Sequence, residues 1–305
     1  QKGREHTPSG VMADKKHKKG EAMISIRHSH MKMSDNSYNG DSISTPEILA
    51  MPNPLGSMPA NLSVVPTEMI MKMTMVGGMY APTNEITIMA MGMFMSKDMD
   101  LNTYQPMMNR NQLGTFSTSS SDMSDISLGV LIKLQESESS RWHGEVTLQK
   151  SVGSNDVKGE VLTPMNMNSS MILPYGMQPS DRGTKLVVGV TNVTKLSERW
   201  IWGSQLRRKS TLSNESWAFG DHTDLNTWIQ YELNHAVALS SRLQIIHQDK
   251  ISGNNPMIMA PVQTANTENY GGKEAYLGLG ANFLMHLLPG EVDRFGLEVL
   301  LPLAQ

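Results

Sequence analysis

Cysteine is absent from the 305 residues, so disulfides, thiolate metal sites and a cysteine nucleophile are excluded. No run of 18 apolar residues occurs, which excludes a bundle of membrane helices. It does not exclude a membrane barrel, whose strands are only half apolar. Charge of neither sign dominates: the net value of −3 makes no global case for nucleic acid. Aromatic residues are few, at 6%. There is no P-loop, GxGxxG or HExxH. Serines and histidines (His143, His222, His235, His247, His286) are present without a spacing that singles out a nucleophile and base, and Glu85, Asp98 and Asp100 form no carboxylate pair. The chain is therefore read as a non-enzyme. It opens at Gln1 without an initiating Met or a signal-peptide core, as a processed N-terminus would.

What is present in excess is methionine, 26 residues, of which eighteen precede residue 110. They alternate, as in Met69-Ile70-Met71-Lys72-Met73-Thr74-Met75 and Met89-Ala90-Met91-Gly92-Met93-Phe94-Met95. A period of two sets each row on one side of a β-strand.

Sustained helical spacing is missing, and alternating segments of about ten residues recur instead. They predict strands over 20–34, 68–80, 85–97, 124–135, 141–152, 184–196, 199–211, 224–235, 237–249, 272–286 and 294–303. Connections alternate between long (35–67, 98–123, 153–183, 212–223, 250–271) and short. A soluble sandwich has no reason for that rhythm, whereas an outer-membrane barrel has short periplasmic turns and long outer loops. Closure is what the bilayer demands, since no backbone group is left unpaired in hydrocarbon. The expected fold is an all-β, transmembrane, antiparallel up-and-down barrel of about twelve strands over 20–305. Residues 1–19 are expected to form a flexible periplasmic N-terminal arm, open to a periplasmic partner. Eleven segments are an awkward count for such a barrel, so either one strand escapes the pattern or a twelfth lies beyond Gln305. The aromatic girdle is thin, carried by Trp142, Trp200, Trp202, Trp228, Tyr80 and Tyr231.

Residues 10–21 (Gly-Val-Met-Ala-Asp-Lys-Lys-His-Lys-Lys-Gly-Glu), the strand from Ser25-Ile26-Arg27 to Met31-Lys32-Met33, the segment Met79-Tyr80-Ala81-Pro82-Thr83-Asn84 and Leu301-Pro302 resemble an outer-membrane "transporter" family grouped with the meta-pathway phenol-degradation barrels. The resemblance covers most of the chain but is specific only over residues 10–100, and it departs at the C-terminus, where relatives end on an aromatic strand. It implies a Gram-negative outer-membrane barrel of about a dozen strands. Met-rich members resemble proteins of copper-handling operons, and the family's own function is poorly defined.

Thioethers select Cu(I) and Ag(I) over hard cations, and alternation stacks them a little under ~7 Å apart. The bland alternative is an adaptable apolar surface. On 85–97 the companion face (Ile86, Ile88, Ala90, Gly92, Phe94) suits lipid and turns Met89, Met91, Met93 and Met95 into the lumen. On 68–76 the companion face carries Glu68, Lys72 and Thr74, which suits the lumen and turns Met69, Met71, Met73 and Met75 outward. His28 and His30 share one side of the first strand and Met31 and Met33 the other, so a regular strand keeps these copper-type ligands apart; a solvated strand end is the alternative. Further methionines in polar loops (Met51, Met58, Met107, Met108, Met165, Met167, Met171, Met177, Met257, Met259) have no packing reason to be there. Loop 153–183 either captures an ion or folds inward as a plug.

The leading expectation is an outer-membrane channel with a methionine path for copper-like ions, needing no cofactor but taking copper as ligand or substrate. The alternatives are a passive barrel for small apolar or aromatic compounds, and a structural or partner-binding barrel without transport. Its surroundings are outer-membrane lipid, with no nucleic acid.

Overall fold

The structure is a computed structural model that describes residues 6–13, 15–286 and 292–305. Eleven strands make one antiparallel sheet in which each pairs with the next in chain order. They are β1 (Ala22–Ser34), β2 (Val64–Tyr80), β3 (Ile86–Tyr104), β4 (Gln112–Glu136), β5 (Ser140–Ser151), β6 (Thr184–Lys195), β7 (Trp200–Ser213), β8 (His222–Glu232), β9 (Val237–Gln248), β10 (Gly272–Met285) and β11 (Asp293–Ala304). The sheet curls into the expected up-and-down barrel. Among the described residues, β1 and β11 are not hydrogen-bonded to each other, and no twelfth strand joins this sheet; three short two-stranded ribbons lie in the connections.

Every predicted segment contains a strand, but β2, β3 and β4 are longer than periodicity indicated. The expected long loop 98–123 is instead the top of a tall hairpin, with Asp100 opposite Ser117 and Tyr104 opposite Gln112. Apolar alternation is missing there because the outward positions no longer meet lipid. On β3 the outward residues run Ile86, Ile88, Ala90, Gly92 and Phe94, then change to Ser96, Asp98 and Asp100. That apolar stretch is about 27 Å along the strand, close to the ~25 Å band of an outer-membrane barrel.

The same boundary corrects the orientation of Met69–Met75. Glu68, Lys72 and Thr74 do face away from the methionines, but they stand on the outer surface, Glu68 and Lys72 above the apolar band and Thr74 at its upper edge opposite Phe94. There Glu68 pairs with Lys32 (2.7 Å) and Thr74 with the His28 ring (3.0 Å). Their polarity marks water outside the barrel rather than a lumen, and the methionines of β2 face inward.

The N-terminal arm is also corrected: its described residues do not hang free in the periplasm. They cross the barrel interior at the end where the short turns lie. Main-chain carbonyls need partners once buried, and inward side chains supply them. Gln230 and Asn282 donate to His6 O (2.6 and 3.0 Å), and Arg294 to Thr7 O (2.6 Å). Arg27 donates to Ser9 O and Val11 O (3.1 and 2.7 Å), and Gln205 to Met12 O (2.7 Å). The His143 ring meets Ala13 O (2.8 Å). One segment thus touches β1, β5, β7, β8, β10 and β11, so the sheet surrounds it. Val11 packs with Val193, Ile201 and Trp228, which places Trp228 inside rather than in the girdle.

Candidate functional site

Register turns the methionine rows into one wall. Reading across β1, β2 and β3, Met23 lies opposite Met79 and Met79 opposite Met89. Higher up come Arg27–Met75–Met93, Ser29–Met73–Met95, Met31–Met71–Lys97 and Met33–Met69–Met99. Neighbours within a rung are about 5 Å apart, and rungs follow at a little under ~7 Å. The wall is lumenal because its lowest rung meets the arm: Met89, Met79 and Leu131 pack with Ala13.

The predicted ligands therefore divide. Met89, Met91, Met93, Met95, Met69, Met71, Met73, Met75, Met31 and Met33 share the inner face. His28 and His30 are exposed on the opposite face and join none of them. Among the described residues no group of three or more His, Asp or Glu side chains is arranged to hold a metal ion. Pattern reading missed Met23, Met79 and Met12, because a single methionine in a strand or arm breaks no composition rule; only the register reveals their company.

Above the arm lies a cavity of about 190 Å³, bounded by Met12, Met23, Met75, Met79, Met89, Met91 and Met93 on one side. The opposite side is charged: Arg207 makes a two-pronged pair with Glu145 (2.8 and 2.9 Å) and stands near Lys209 and Asp125. Asp125 accepts from the Ser151 hydroxyl (2.6 Å).

At the other end, the long connections fold over the mouth as a roof. Leu173, Tyr175, Met177, Trp217, Ile251, Ile258 and Val262 form its buried core, with Tyr175 edge-on to Trp217 at 4.9 Å. Lys97, on the inner wall, donates to Gly176 O and Gln178 O (both 2.8 Å), tying loop 152–183 to β3. The Tyr270 hydroxyl donates to Thr264 O (2.6 Å) and accepts from Gly176 N–H (2.7 Å), and burial pushes this phenol up. Asp181 receives Lys185 Nζ (2.6 Å) and the N–H groups of Gly183 and Phe219 (2.9 and 3.0 Å). Burial raises this carboxyl, but Lys185 and the N–H donors outweigh it and hold it below its ordinary value. Loop 153–183 folds inward through Leu173, Tyr175 and Met177, as a plug would, while Met165 and Met167 at its tip stay exposed.

Within the roof, among the loops, is a second cavity of about 350 Å³. Met99 from the top rung forms part of its floor with Leu101, Phe116, Leu173 and Met177; Met58, Met107, Met165 and Met259 ring it from the loops. No ionisable side chain lines it, and Thr118 and Thr163 are its polar members. Met99 thus joins the outer cavity to the methionine wall.

No family profile matches the sequence, and no curated protein is detectably similar to it. Solved structures do match in shape. The chain is similar to the COG4313 outer membrane channel from Pseudomonas putida F1, with TM-score 0.56 and 11% identity over 96% of this chain and 91% of that one. A Pseudomonas aeruginosa FadL homologue matches with TM-score 0.45 and 8% identity over 92% and 67% of the two chains. A deletion mutant of the TodX monoaromatic hydrocarbon channel matches with TM-score 0.41 and 10% identity over 90% and 72%. The first of these shows that the fold is that of an outer-membrane β-barrel. The apolar belt fits a barrel embedded in a Gram-negative outer membrane.

Proposed function

We propose that this barrel is a passive outer-membrane channel for small apolar or aromatic compounds, and that the outer cavity is where they first dock. The observation that carries the reading is the lining of that cavity: about 350 Å³ with no ionisable group. Such a space offers a neutral apolar solute burial at no cost in unpaired charge, and it offers a hydrated ion little to replace its water. Methionine suits the task because its flexible thioether moulds to varied shapes and favours aromatic rings. The test is photolabelling of the detergent-solubilised protein with an aryl diazirine, with toluene as competitor. Labelling should concentrate on Phe116, Leu173 and their neighbours, fall with toluene, and be lost in Ala260→Trp, which fills the cavity from a loop. Label spread evenly over the apolar belt would sink the reading.

A second reading, a soft-metal path, is favoured by a different observation. On β1–β3 the lipid side uses Ile24, Ile26, Val76, Ile86, Ile88 and Phe94, while the lumenal side uses methionine and almost no branched aliphatic residue. General hydrophobicity does not explain that segregation, whereas thioether ligation of Cu(I) or Ag(I) does. Silver(I) titration tests it: saturable binding lost when Met89, Met91, Met93 and Met95 become Leu supports a ladder of weak sites, and equal binding in both proteins removes it. Copper then is cargo rather than a cofactor.

A further inference from the structure

Four of the loop methionines around the outer cavity differ from its floor in one decisive respect. Met58, Met107, Met165 and Met259 are 76%, 67%, 72% and 53% exposed, while Met99 and Met177 in the same cavity are 4% and 0% exposed. All six carry the same sulfur chemistry, and access to water-borne reagents separates them.

From this we propose that the rim is a methionine-oxidation site: peroxide converts its four thioethers to sulfoxides and thereby closes the cavity to apolar solutes. The inference rests on the apolar-channel reading. In the reaction a sulfur lone pair attacks one oxygen of hydrogen peroxide. The O–O bond breaks as the S–O bond forms, and the departing hydroxide takes up the remaining proton as water. Sulfur loses two electrons and peroxide gains them. Each product is a polar, chiral sulfoxide where a flexible apolar side chain stood. Four new acceptor oxygens then face a cavity whose other polar lining is two threonine hydroxyls. An apolar solute entering must strip water from those oxygens and returns no hydrogen bond. The buried floor keeps its thioethers, so the change is confined to the entrance and leaves the roof core intact. Reversal requires a reductase for each sulfoxide epimer.

The experiment treats the solubilised protein with dilute hydrogen peroxide, follows each methionine by peptide mass spectrometry, and repeats the aryl-diazirine labelling on the same samples. Met58, Met107, Met165 and Met259 should oxidise well before Met99 and Met177. Cavity labelling should fall by about tenfold, the scale expected for burying unpaired acceptors, and return after incubation with both classes of sulfoxide reductase. A variant with all four rim positions changed to Leu sets its own starting level of labelling and should hold that level after peroxide, because the oxidisable sulfurs are gone; the positions are exposed, so the exchange leaves the core untouched. Undiminished labelling of the oxidised natural protein, or equal oxidation of rim and floor, overturns the inference alone. Absence of cavity labelling before any peroxide overturns the channel reading and this inference with it.

Discussion

The inner wall changes character between β3 and β5. On β1–β3 it is built of thioethers; on β5–β11 the inward residues include Gln205, Asn226, Gln230, Arg242, Asn282 and Glu298, and the one methionine of those strands is Met285. Thioethers accept hydrogen bonds weakly and donate none, so they hold no peptide in place. The polar wall does, and the arm lies against it through most of its bonded carbonyls, while Arg27 on β1 takes those of Ser9 and Val11. Both cavities, by contrast, have methionine on one side. The barrel thus grips its plug mainly from the polar side and leaves open space beside the methionines.

The largest effect should come from making the polar wall resemble the other. Arg242 and Glu298 form a buried pair across β10 (2.7 Å), and Arg242 also bonds Asn226. Arg242→Met strands the carboxylate and should cost about 3–5 kcal/mol, read as a lower urea midpoint in detergent. A smaller loss follows from Gly10→Val. Gly10 N–H donates to Glu298 (2.6 Å), and an added Cβ would collide with Arg242 and Glu298, which their mutual pairing holds in place. Overpacking of about 1–3 kcal/mol should unseat the arm, leaving Lys15, Lys16, Lys18 and Lys19 more readily cut by trypsin while the barrel stays folded. Protection equal to that of the natural protein would show that the arm is held elsewhere.

On the methionine side, changing Met89, Met91, Met93 and Met95 to Leu conserves volume and should cost less than about 1.5 kcal/mol per site. A much larger drop in the unfolding midpoint would mean that this wall carries structure as the polar wall does. Smallest is the acid response of the roof. The Asp181 carboxyl is held below its ordinary 3.8, so its contribution is present above that value and is lost as pH falls through the lower folded-state pKa. Hydrogen exchange over 152–183 should rise in that acid range and lose this dependence in Asp181→Asn.

Sequence periodicity located all eleven strands because lipid imposes a strict alternation wherever it touches the sheet. It failed where lipid ends. Above the belt, Asp98, Asp100, Ser117 and Ser119 are strand residues with loop composition, and on β2 the charges of Glu68 and Lys72 read as lumenal although they face outside water. The inward turn of Met89–Met95 was legible from Ile86, Ile88 and Phe94 alone. The alignment of that row with Met69–Met75, and the share of Met23 and Met79, depended on hairpin register, which single strands do not encode. The arm was misread for a related reason: the lysines at 15–19 look solvated, as Lys18 and Lys19 are, but the burial of residues 6–13 before them rests on carbonyls that every residue type possesses alike.

That last feature bears on how the arm tolerates change over generations. The wall spells out its grip in a main-chain alphabet of one letter, so most substitutions in residues 6–13 leave the text unaltered. Gly10, where a methyl group has no space, is the exception. A saturation scan of the segment should therefore be nearly flat, with a single deep notch at position 10 and shallower ones at Val11, in an apolar nest with Val193, Ile201 and Trp228, and at Ala13, packed against Met79, Met89 and Leu131.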